Sequence, residues 1–194
     1  MTENSRTQPP LKIDIVVHGR FHAFHLARAL ITRGHDVRIL TNYPGWATRR
    51  FGLPKSAVHS FVTHGILSRA QDHLLGRRTI TLGQPTLHRI FGLWAAGRVR
   101  SDCDLVYIFS GVAEETLRRF AGKARPRIWL TRGSSHIRTQ LDLLETEEHR
   151  AGVSLDKPSR WSTDREEREY ALSNHIVTLS TFSLTSFKDH GRLS

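Results

Sequence analysis

The stretch Lys12–Thr41, KIDIVVHGRFHAFHLARALITRGHDVRILT, decides the fold. Lys12-Ile13-Asp14-Ile15-Val16-Val17 is short, β-branched and mostly apolar, the pattern of a buried parallel strand. His18-Gly19-Arg20 makes a turn, and Phe21 to Arg33 reads as a helix with Phe24, Ala27, Leu30 and Ile31 at three- and four-residue steps. Gly34 closes it as a glycine just past a helix end does. Asp36 to Thr41 is a second strand, so residues 12–41 hold one strand–helix–strand unit of a doubly wound sheet.

Outward from this unit the alternation continues. Ser56 to Thr63 reads as a third strand, Ile66 to Leu75 as a helix and Gly76 to Gly83 as a basic loop with Arg77 and Arg78. Pro85 suits the first turn of a helix, Thr86 to Arg100, that is apolar at Leu87, Ile90, Phe91, Trp94 and Val99 and carries His88 and Arg89 on its polar side. Strands follow at Asp104 to Phe109, Arg127 to Thr131 and Ile176 to Leu179, and helices at Val112 to Ala121, Ile137 to Ala151, Thr163 to Asn174 and Ser180 to His190. Thr163 and Glu166 have the spacing of a capping box. The expectation is one α/β domain over residues 11–194, Rossmann-like and mainly parallel, behind a loose polar tail at residues 1–10.

Cys103 is the sole cysteine, which excludes an internal disulfide and a multi-cysteine zinc site. No apolar run reaches the ~20 residues of a membrane span, and no secretory signal pattern is present, which together predict a cytoplasmic location. The net charge of +11 lies in residues 1–100, which hold 15 Lys/Arg and 4 Asp/Glu; residues 101–194 hold 14 of each. Nucleic acid, an acidic membrane surface and a phosphate-bearing lipid or sugar acceptor all answer that charge, as does a simply solvated surface. The basic half carries no aromatic-rich RNA-binding signature and no zinc-finger spacing, which argues against nucleic acid.

In an open parallel sheet, ligands sit at the carboxyl ends of strands. Four small-residue corners fall there: His18-Gly19-Arg20-Phe21, Ser110-Gly111-Val112, Arg132-Gly133-Ser134-Ser135-His136 and Ser180-Thr181-Phe182-Ser183. Backbone N–H groups at such corners attract anions, and Arg20 and Arg132 can fork onto phosphate or carboxylate oxygens. The alternative is that these residues only make tight turns. The first corner lacks G-x-G-x-x-G, and no P-loop occurs, so no nucleotide cofactor is expected. His18, His22 and His25 have no nearby Cys, Asp or Glu, so no metal is expected either.

The run from Ile15 through Ala27-Arg28-Ala29-Leu30 to Arg33-Gly34-His35, with Asp104-Leu105-Val106-Tyr107, Arg132-Gly133-Ser134-Ser135-His136, Leu143-Leu144-Glu145 and Glu169 to Phe182, resembles the N-terminal domain of GT-B glycosyltransferases of the retaining family 4. The resemblance covers nearly all residues after Pro10. It implies the acceptor-side half of an enzyme that moves a hexosyl group from a nucleotide-sugar donor to a glycan or lipid-linked acceptor. The donor would be held by a second domain carrying an E-x7-E pair, and no two glutamates of this sequence have that spacing. The chain alone is therefore expected to be incomplete for turnover: a fragment, a truncated product or a separate subunit. On this reading Gly19, Arg20, Phe21, Gly111, Arg132, Gly133, Ser134, Ser135 and Ser180 touch substrate, and His136 is the candidate catalytic residue, three positions beyond where the family places its histidine. The alternative function is a non-catalytic module for an anionic membrane or acidic glycan, peripheral at the inner face of the membrane. Its motivation is the +11 charge of the first half, together with Arg77, Arg78 and the Thr86 to Arg100 helix with Phe91 and Trp94.

Overall fold

In the computed structural model, residues 9–74 and 76–191 are described, side chains excepted at 71–82. The strands are β1 Lys12–Val17, β2 Asp36–Thr41, β3 Val58–Ser60, β4 Leu105–Phe109, β5 Arg127–Arg132 and β6 His175–Thr178. All pair in parallel, in the order β3-β2-β1-β4-β5-β6. This is a Rossmann-like doubly wound α/β sheet. Its order reverses between β1 and β4, the switch point where such sheets open a crevice.

The helices are α1 Ala23–Thr32, α2 Gly45–Thr48, α3 Val62–Leu74, α4 Gly76–Arg98, α5 Glu114–Phe120, α6 Ile137–Ala151, α7 Arg160–Leu172 and α8 Thr181–Asp189. Because strand side chains alternate between faces, the sheet splits the core in two. Ile13, Ile15, Val17, Val37 and Ile39 pack with Ala23, Phe24 and Ala27 of α1. Val16, Leu40, Val106, Ile108 and Leu130 pack on the other face with Phe91, Leu117, Ile137, Tyr170 and Phe187, drawn from α4 to α8. On the α1 side the cover thins toward β5, where Trp129 is 40% exposed.

Three sequence readings need correction. Phe61 and Val62 are not strand: β3 ends at Ser60 and α3 begins at Val62. Phe61 stacks on Trp94 of α4, 5.1 Å between ring centroids, so this short apolar run serves helix packing. The backbone of the supposed basic loop 76–83 is helical, and Pro85 lies inside α4. Helix α7 starts three residues earlier than expected, with Ser159 as its cap accepting from the Ser162 N–H at 3.2 Å; Thr163 is buried inside the helix instead of capping it.

A fourth feature went unread. Asp14, in the middle of β1, is fully buried. Its carboxylate accepts from the Arg100 backbone N–H and Nε, each at 2.8 Å, and Arg100 reaches on to Asp36 at 2.7 Å. This network joins β1, β2 and the segment leading into β4 at the end of the sheet away from the strand tips. A buried carboxylate is tolerated only with such partners.

Candidate functional site at the strand tips

The β1 corner is a tight turn. Gly19 has φ +87°, which favours glycine, and its N–H donates to Asn42 Oδ1 at 2.6 Å. The Asn42 amide nitrogen then faces His18 Nε2 at 3.0 Å, so that ring nitrogen accepts and the proton resides on Nδ1. Gly65 of α3 lies so close that an added Cβ would stand 2.2 Å from the Asn42 carbonyl oxygen. Phe21 also takes a positive φ, +43°, is 63% exposed and stacks on Phe109 at 5.4 Å. Arg20 points outward over the Phe51 ring. Helix α1 begins at this corner, and its cap residue His22 gives no side-chain hydrogen bond to the first turn.

The β4 corner is finished differently. Gly111 again has φ +87°. The Glu169 carboxylate of α7 accepts from the N–H groups of Gly111 at 2.6 Å, Ala113 at 2.8 Å and Glu114 at 3.1 Å. Arg165 Nε lies 3.2 Å from the same carboxylate and donates to the Gly111 carbonyl at 2.8 Å, while its other nitrogens grip Glu115. Burial pushes the Glu169 carboxyl up to about 7. Both of its oxygens nevertheless accept only from N–H donors, a geometry that holds the ionised form. The Gly111 amide is therefore already occupied, and its expected role as a substrate-binding N–H is corrected: a buried side chain of the same chain fills the anion position.

Helix α4 lowers a histidine between the two corners. His88 Nδ1 lies 3.1 Å from the Gly111 carbonyl, which can only accept, so Nδ1 carries the proton and Nε2 is a bare lone pair. The His88 ring is 5.2 Å from His18, and His64 of α3 meets His18 edge-on at 5.4 Å. His64 Nε2 donates to the Leu87 carbonyl at 2.8 Å. Burial, aided by the neighbouring imidazoles, lowers His18 to about 3; burial and the Arg165 charge lower His88 to about 4. All three rings are neutral near pH 7. His22 turns instead to the Tyr107 hydroxyl at 3.1 Å and His25 to Phe51, so the three histidines of the first corner do not converge. Among the described residues no group of three or more metal-binding side chains forms.

A cleft of about 300 Å³ opens at the tips of β4 and β5. Ser110, Gly111 and Arg132 line it together with Gln84 and His88 of α4, Ile137 and Gln140 of α6, residues 156–159, and Trp161, Ser162, Arg165 and Glu166. Of the expected contact residues, Gly111 and Arg132 thus reach one cavity. Arg132 is held there by Glu166 at 2.9 Å and Gln140 at 2.5 Å. Gly19, Arg20 and Phe21 form their own corner beside it. Gly133 and Ser134 are exposed at the β5 tip, Ser135 is buried, and Ser180 caps α8 by accepting from Ser183 N–H at 3.1 Å.

His136 does not reach the cleft. It is 1% exposed, its Nδ1 accepts from the Arg138 N–H at the start of α6, and its ring packs among Tyr170, Phe187 and His190. Its position is that of a core and capping histidine, and the catalytic role expected for it is withdrawn. Phe91 is fully buried and Trp94 packs against the core, so neither is available as a membrane anchor. No helix among the described residues is long and apolar enough to cross a membrane.

Sequence reading missed His88 as a site residue, along with Gln84, Asn42, Trp161 and Glu169. Trp161 was the most detectable: it is an aromatic in the first turn of a helix rich in charge, well apart from that helix's other aromatic, Tyr170. The fold and cleft define a Rossmann-like α/β domain with a ligand-sized hollow beside its switch point. No protein-family model matches the chain, and neither the curated proteins nor the solved structures contain a match.

Proposed function

We propose that this chain is the acceptor-side half of a retaining GT-B glycosyltransferase, in which sugar passes from a nucleotide-sugar to a glycan or lipid-linked acceptor. The observation that carries the reading is the crevice: the β1, β4 and β5 tips lie side by side at one edge of the sheet, and a 300 Å³ cleft opens at two of them. The acceptor occupies that cleft. The uncapped N-terminus of α1, with Gly19 and Arg20 before it, faces the leaving diphosphate, where a helix dipole and an exposed guanidinium stabilise developing negative charge. The donor sugar and its nucleotide require an opposing wall with the E-x7-E pair that this sequence lacks. The membrane-binding alternative receives no support from Phe91 and Trp94, which face inward.

The test is release of nucleotide diphosphate from a panel of nucleotide-sugars. The purified chain alone leaves every donor intact. Supplying a second α/β domain bearing E-x7-E, in the same polypeptide or alongside it, starts turnover. Measurable transfer by the isolated chain, or an inert reconstituted pair, overturns the proposal.

A further inference from the structure

The chemistry of the cleft selects among acceptors. We propose that it holds a neutral sugar ring, with one hydroxyl donating to His88 Nε2 and the ring lying against Trp161. The inference rests on the sugar-transfer reading for calling that ring an acceptor, but not for its binding.

The cations lining the cleft are already balanced. Arg132 is paired with Glu166, Arg165 with Glu115 and Glu169, and Lys157 with Glu148. An anion entering here would meet compensated cations and the carboxylates beside them, so phosphate recognition has no free charge to use. Of the remaining groups, the Asp156 carboxylate adds negative charge that further disfavours an anion, and the others are neutral: the Gln84 and Gln140 amides, the Ser110 and Ser162 hydroxyls and the His88 imidazole. His88 is fixed by the Gly111 carbonyl so that its acceptor nitrogen is set by construction, and burial together with Arg165 of α7 and His64 of α3 keeps it uncharged. The Trp161 indole, partly exposed, is held by Arg165 over its ring at 5.4 Å and by His88 at 5.9 Å. An apolar indole beside a ring of neutral donors and acceptors matches a sugar, which has one C–H face and a hydroxyl rim. The volume, at the low end of the ~300–1,000 Å³ found for ligand sites, suits a compact ligand.

Saturation-transfer NMR on the whole chain tests this with glucose, mannose, galactose and N-acetylglucosamine as neutral probes and glucose 6-phosphate as the charged one. At least one neutral sugar binds, and glucose 6-phosphate binds no better. Trp161→Ala and His88→Ala each weaken binding about tenfold, the size of one lost ring contact or hydrogen bond. Trp161→Phe retains most of it, and Trp129→Phe, outside the cleft, changes nothing. Thermal melts exclude unfolding as the cause, and a variant that does not fold is replaced by Ser162→Ala and Gln84→Ala, which should weaken binding by several-fold. Preference for the phosphate, neutral binding insensitive to these substitutions, or no binding at all overturns the inference. Transfer onto a phosphorylated acceptor by the reconstituted pair, without neutral-sugar binding, removes this inference and leaves the transferase reading standing. Neutral-sugar binding without any transfer does the reverse.

Discussion

At the β1 corner Gly19 sits at φ +87° and gives its N–H to the neutral side chain of Asn42; at the β4 corner Gly111 sits at φ +87° and gives its N–H to the carboxylate of Glu169. The two turns share a backbone shape and flank the same switch point. They differ in what completes them. The N-terminus of α5 has an anion built in, delivered by a helix fifty-odd residues away and locked by Arg165. The N-terminus of α1 has none. Equal local geometry therefore produces one corner joined to a distant helix and one whose following helix starts without a side-chain cap. The corner sealed by Glu169 ties α7 to the sheet, while the β1 corner is closed only by the neutral Asn42 side chain.

The largest effect should come from breaking the sealed corner. Glu169→Ala leaves three amides without their acceptor and removes one of the carboxylates around Arg165, and should cost about 3–5 kcal/mol of stability in urea unfolding. Glu169→Gln keeps the shape and loses the charge, so it should cost less. A loss below about 1 kcal/mol for the alanine variant would mean the corner is not the joint described.

Acid should loosen both corners through their histidines. The folded pKa values of His18 and His88, about 3 and about 4, lie below the ~6.5 of an exposed imidazole. Stabilisation from neutral burial is then complete above about pH 6.5 and disappears as the pH falls toward those values, by about 2–3 kcal/mol for each ring at pH 4. Glu114 acts in the same direction at lower pH. Burial raises it, but Arg168 and Arg118 outweigh burial and hold it near 2, so its contribution fades as the pH drops below ~4.5. Unfolding midpoints from pH 7.5 to 4, with imidazole NMR titrations, check this. A flat profile would contradict the neutral cluster.

Two glycines sharpen the contrast. At Gly65 an added methyl meets backbone, the Asn42 carbonyl, at 2.2 Å; at Gly92 it meets the Glu115 carboxylate at 2.0 Å, the end of a side chain that can move. Gly65→Ala should therefore cost about 2–3 kcal/mol and disturb the β1 corner. Gly92→Ala should cost about 1 kcal/mol, by displacing Glu115 from Arg165. The reverse order in thermal melts would show that the α3 contact is the softer one.

The smallest effect belongs to Arg20. Arg20→Ala should leave stability within about 0.5 kcal/mol, as exposed substitutions do. In a reconstituted transferase it should lower kcat/KM by at least about tenfold if the β1 corner meets the diphosphate. Unchanged kinetics would remove Arg20 from the donor side.

Much of the architecture was legible because periodicity carries it. The run from Lys12 to Thr41 reads as strand, helix, strand, and α6 spans the residues expected of it, Ile137–Ala151. What misled were residues whose hydrophobicity serves another element. Phe61 looks like strand and packs on Trp94; Pro85 looks like a helix start and lies inside α4. The candidate site was less legible. Gly19, Gly111 and Arg132 could be placed at strand tips, since tips follow from strand ends. His136, in the same run, turned inward, and no local pattern reports the direction of one side chain after a turn.

The sequence by itself determined the alternation of strands and helices, and with it the parallel sheet and the edge to which the strand tips point, because hydrophobic period and glycine placement act over a few residues. Only the tertiary structure decided which corner is closed by a carboxylate and which by a neutral amide. Glu169 reaches Gly111 from 58 positions away and His88 from 23, contacts that exist only once α4 and α7 have packed on the sheet.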